Sequence, residues 1–132
     1  MKYLDTFSYF INESISKQEL SKFEQFVDKL FAELGIDIVF TKHFYDRLNH
    51  PRNKKDIEIK ELKDIFNEVF KKYGEDLDRD INIDAIIKSL NTKINMPFVV
   101  QWDDKNMEFD LVLKTIMRTP KFHSSDKEYK VR

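Results

Sequence analysis

The chain contains no cysteine. Disulfides, thiolate metal sites and cysteine nucleophiles are therefore excluded from its chemistry. Glycine and proline are also scarce, 2 and 3 in 132 residues, which argues for long regular elements rather than a loop-rich sandwich. No apolar run approaches a membrane span, and the opening residues do not read as a secretory signal. The expected setting is a cytoplasm, or a particle assembled in one, with no membrane partner. Neither sign of charge dominates, because 23 Lys and Arg stand against 24 Asp and Glu.

Aromatic residues are plentiful: 12 Phe, 5 Tyr and 1 Trp. Phenylalanine has no polar handle, so most of these rings must be buried, and the length suits one core rather than two. The near-zero net charge hides a polarity along the chain. Lys42, Arg47, Arg52, Lys54, Lys55 and Lys60 form one basic stretch, and Lys114, Arg118, Lys121, Lys127, Lys130 and Arg132 form another. The run from Glu61 to Asp84 is acidic. If the two basic stretches meet, they make a phosphate-holding patch; otherwise they are solvated faces.

Periodicity divides the chain into an amphipathic segment at residues 1–13 and a single domain at residues 14–132. Ser16 and Glu19 form a capping box for a helix that buries Leu20, Phe23, Val27, Leu30, Phe31 and Leu34, with Gly35 as the stop. Ile36–Phe40 reads as a strand, and Thr41 caps a short helix through Leu48. Pro51 breaks that helix, and a strong amphipathic helix runs from about Ile59 to Tyr73. Residues 84–90 are expected to form a helical turn or two. Residues 97–102 and 107–118 are expected to form a hairpin, the second strand alternating without a break. The tail from Thr119 either crosses the surface or adds a last strand. This order predicts an α+β fold with N-terminal helices on one face of a small antiparallel sheet.

Two constellations carry candidate chemistry. His43 and Arg47 sit at i and i+4, so one helical face presents a proton-transfer group and a phosphate-binding cation. Lys114, Arg118, Lys121 and His123 lie on or just beyond the last strand. If that strand lies beside the first helix, these groups converge on a phosphate-sized site of the kind metal-free RNA cleavage needs. A surface pair and a charged strand face are the alternatives. The series Asp76, Asp78, Asp80, Asn82, Asp84 imitates a calcium loop, but Ile81 and Ile87 stand where glycine and glutamate are required. It reads as a solvated acidic linker. No metal or cofactor is expected.

Thr41-Lys42-His43-Phe44-Tyr45-Asp46-Arg47, followed by Arg52 and the helix bearing Leu62, Ile65 and Phe66, resembles the opening of phage RegB-type endoribonucleases. It is also similar to RelE- and BrnT-like toxins. The closing Leu111–Arg118 stretch resembles the basic terminal strand of such toxins. The resemblance implies a metal-independent endoribonuclease in which His43, Arg47 and Arg118 are catalytic and Lys42, Arg52, Lys114, Lys121 and His123 bind RNA. Asn67 stands where the family's second histidine belongs, so His50 or His123 would have to replace it. Residues 1–14 resemble capsid-targeting peptides of large tailed phages, with a cut after Ile11-Asn12-Glu13. That implies a phage protein of the host cytoplasm or the virion head. The alternative is a non-enzymatic phage protein that binds nucleic acid, a host factor or a virion protein. An antitoxin-like module using Glu75–Asp84 is a third reading.

Overall fold

A computed structural model describes residues 16–50, 53, 55–120, 122 and 124–132. Among these residues three α-helices and six strands follow in the order α1 (Lys17–Ala32), β1 (Ile36–Phe40), α2 (Lys42–Leu48), α3 (Ile59–Tyr73), β2 (Ala85–Ser89), β3 (Ile94–Asp103), β4 (Glu108–Leu113), β5 (Met117–Arg118) and β6 (Lys127–Val131). The fold is α+β, as expected. Residues 1–15, including the proposed targeting segment, lie outside the described residues.

Local chemistry sets the boundaries. Ser16 Oγ accepts from Glu19 N at 3.1 Å, and Glu19 Oε1 accepts from Ser16 N at 3.2 Å, completing the capping box of α1. Gly35 ends that turn at φ +71°, a conformation that penalises any Cβ. Gly35→Ala should therefore cost about 1 kcal/mol in urea unfolding. Thr41 caps α2 through its hydroxyl, which accepts from Phe44 N at 3.1 Å.

The strands form one mixed sheet in the order β1-β4-β3-β2-β6, with β5 pairing the start of β3. The central pairs are antiparallel, whereas β1 and β6 run parallel to their neighbours β4 and β2. The helices bury Phe23, Val27, Phe31, Leu62, Phe66 and Val69 against Ile38, Phe98, Val100, Leu111 and Leu113 of the sheet. Both sheet edges are blunted by the chain itself. Asp28 Oδ1 accepts from Ile38 N on β1, and Tyr73 Oη and Lys72 Nζ donate to Lys130 O on β6.

Four sequence expectations change here. The sheet expected to be antiparallel is mixed, because β1 and β6 are reached by crossovers and run parallel to β4 and β2. Residues 84–90 are not helical: β2 lies between β3 and β6, and Ala85, Ile86 and Ile87 are all buried. A strand covered on both faces reads as an apolar run without alternation, which is why periodicity failed. Residues 107–118 do not make one continuous strand. The chain leaves the ladder after Leu113, buries Ile116, and resumes as β5, so the alternation shifts at residues 114–116. The acidic series is more than a linker. It carries a 3-10 turn at Leu77–Arg79 with Leu77 buried, and Asp80 accepts from Lys127 and Tyr129. The tail adds β6, which pairs in parallel with β2.

Candidate functional site

The two candidate elements lie side by side. At the start of α2, Thr41 Oγ1 donates to Lys114 O at 3.0 Å. At its end, the buried Asn53 Nδ2 donates to Arg47 O at 2.9 Å and Leu48 O at 3.3 Å, while its Oδ1 accepts from Arg118 N at 3.2 Å. Asn53 thus ties the last turn of α2 to β5. Sequence reasoning missed it, because an asparagine beside Pro51 reads as ordinary turn chemistry.

The side-chain heads go elsewhere. Arg118 Nε donates to Lys55 O at 3.1 Å and Nη1 to Thr92 O at 2.8 Å. Its Nη2 donates to Asp56 O at 2.9 Å and to Glu61 Oε1 at 2.7 Å. Only 10% of the Arg118 side chain and 18% of the Glu61 side chain remain exposed. Burial opposes ionisation of Glu61, but hydrogen bonds from Arg118 and from Glu58 N outweigh it and hold its pKa below the usual carboxylate value. Lys114 is ion-paired with Asp84.

Lys42 and His43 are exposed on α2, and Arg47 is half-buried one turn further on. Among the described residues, none of these three side chains has a hydrogen-bond or ion-pair partner. Phe44 and Leu48 are buried and fix which face of α2 is turned outward, with Arg47 at the border of that face. Arg52, Lys121 and His123 lie outside the described residues. His50 is half-buried and has a partner of its own. The structure therefore juxtaposes the backbones of the two basic stretches, with Lys42, His43 and Arg47 outward and the Arg118 guanidinium held inside.

No family model, curated protein or solved structure matches this chain.

A second polar group lies on the face of the sheet turned away from the helices. The register places Asp37 of β1 opposite Asp110 of β4, and Asp103 of β3 opposite Glu108 of β4. Carboxylate oxygens of Asp37, Glu108 and Asp110 lie within 4.8 Å of one another, a spacing a cation could bridge. Asp28, Asp37 and Glu108 also line a cavity of about 320 Å³ beside Gly35. Burial first, then the charges of Asp103 and Asp37, push Asp110 above the usual carboxylate range. Glu108 is raised by desolvation and by the same neighbours, and Asp28 by burial and Asp37. Asp103 moves the other way, because Asn106 Nδ2, Asn106 N and Lys105 N donate to it. Sequence reading found the polar alternation of the last strand, but not that a parallel β1 would bring Asp37 to it.

This carboxylate group has a consequence for stability. Carboxyls whose folded pKa is raised bind protons before the unfolded chain does, so their contribution to stability grows as pH falls from neutral toward the usual carboxylate range. Below that range the lowered Glu61, Asp80, Asp103 and Glu128 lose their favourable contribution, and stability falls. Asp110→Asn removes a charge and offers Asp103 a donor. It should raise Tm at pH 7 by about 3 °C, corresponding to about 1 kcal/mol. The gain should vanish near pH 4 in a thermal scan.

Proposed function

We propose that this chain is an RNA-binding protein that holds backbone phosphates on the outward face of α2 without cleaving them. The observation that carries this reading is the engagement of Arg118. With its donors committed to Lys55, Asp56, Glu61 and Thr92, it cannot also stabilise a phosphorane. Lys42, His43 and Arg47 are then phosphate contacts. The likeness of Thr41–Arg47 to RNA-cleaving toxins directs the reading to RNA rather than to another polyanion. As a phage protein it would act in the host cytoplasm or be packaged in the head. Mass spectrometry of purified virions, finding a chain that begins at Ser14, would support packaging.

The second reading is metal-independent cleavage, with His43 as general base or acid and Arg47 on the scissile phosphate. It is favoured by α2 lying alongside residues 114–118. One experiment separates the two. Labelled single-stranded RNA is incubated with the protein in chelator, with anisotropy reading binding and a denaturing gel reading cleavage. Saturable binding without cleavage is expected. The double variant Lys42→Ala/Arg47→Ala should weaken binding at least about tenfold and reduce the slope of log K against log salt by about 1.4, two single-strand phosphate contacts. Cleavage that disappears in His43→Ala would establish the second reading. Absence of binding would reject both.

A further inference from the structure

The sheet face opposite the helices is a surface that the RNA reading leaves unused. Between β5 and β6 the chain lies over one half of it at Thr119 and Phe122. Lys88 Nζ donates to Phe122 O at 3.4 Å, Asn95 Nδ2 donates to Thr119 O at 3.1 Å, and Ile86 is fully buried there. The β1-β4-β3 half has no such cover among the described residues. Val39, Val112 and Val99 stand in one cross-strand row, each only partly buried. Beside that row lie Asp37 and Asp110, with Glu108 and Asp103 beyond. Asp110 Oδ1 is shielded from solvent and has no hydrogen-bond partner among the described residues. Among the described residues no basic side chain forms an ion pair with Asp37, Asp103, Glu108 or Asp110, so this half of the face carries uncompensated negative charge that favours a cationic partner.

We infer that this half of the sheet is a docking surface for a basic, extended segment of a partner protein. Charge selects that occupant. A second copy docked through the same face would set each acidic group near its own kind, and nucleic acid would be repelled. Lys and Arg instead place their heads on carboxylates while their methylene stems lie along valines. A strand-like segment with alternating basic and apolar residues matches a face whose own charged and apolar rows alternate. The surface is independent of α2 and does not rest on the RNA reading.

The probes are an alternating Lys-Val octapeptide, an alternating Glu-Val octapeptide and nona-arginine, each titrated into the ¹⁵N-labelled full chain. Lys-Val is expected to bind, to shift the amides of Asp37, Val39, Val99, Asp110 and Val112, and to bind more tightly than nona-arginine. Asp37→Asn/Asp110→Asn should weaken it at least tenfold. Asp76→Asn/Asp78→Asn, which removes the same charge elsewhere, should leave it unchanged. Equal loss in both double variants would mean unspecific attraction and overturn the inference, as would absence of binding. Magnesium or calcium saturating the same amides at micromolar concentration and displacing the peptide would make the face a metal site instead. A dimer in sedimentation equilibrium that Asp37→Asn/Asp110→Asn strengthens would assign the face to a second copy and likewise overturn it.

Discussion

Arg118→Ala is expected to destabilise the fold by about 3–5 kcal/mol, the range for breaking a buried ion pair from one side. The loss has two parts. Three backbone carbonyls, of Lys55, Asp56 and Thr92, lose their donor, and the Glu61 carboxylate is left partly buried without its counter-charge. Glu61 also accepts from Glu58 N at the start of α3, so the disturbance reaches the entry of that helix. Against a total stability of about 5–15 kcal/mol this is a large fraction, and urea midpoints measure it directly. Arg118→Lys should recover less than half, because an ammonium cannot reach four acceptors arranged around a planar fork. A loss below about 1 kcal/mol would mean that the guanidinium is not held in this way and stands ready for a ligand.

The second large effect is expected at Phe66. Its ring is fully buried and lies 5.7 Å from Phe23, 6.2 Å from Phe31 and 6.4 Å from Phe40, joining α3 to α1 and β1. Truncation to alanine removes these contacts and leaves a cavity that three other aromatic rings cannot collapse to fill. The cost should be about 3–5 kcal/mol, whereas Phe66→Leu should cost about 1–2 kcal/mol. Chemical denaturation checks both. Trp102→Ala, at a residue 43% exposed, gives the contrast and should change stability by less than about 1 kcal/mol.

Elements with a helical stripe and a side-chain cap were legible before any coordinates. The Ser16 box, the Thr41 cap and the run from Ile59 to Tyr73 are local signals, and the structure has each in place. β2 was not legible, because burial on both faces erases the alternation that marks a strand. The interruption at residues 114–116 was hidden for a different reason: it depends on Ile116 entering a core built by distant elements. The candidate site divides in the same way. The outward placement of Lys42 and His43 follows from helix periodicity and from Phe44 and Leu48 facing in. The fate of Arg118 follows from Asn53, Glu61 and the backbone at residues 55, 56 and 92, which no spacing in the sequence connects.

The most direct test of this division of labour is to titrate short single-stranded RNA into the ¹⁵N-labelled chain while following backbone amides together with the Arg118 Nε–H resonance. The account predicts shifts at Lys42, His43 and Arg47 and an Arg118 signal that neither moves nor gains solvent exchange. An Arg118 Nε–H that shifts with RNA, in step with His43, would contradict it and restore the two elements to one catalytic pocket.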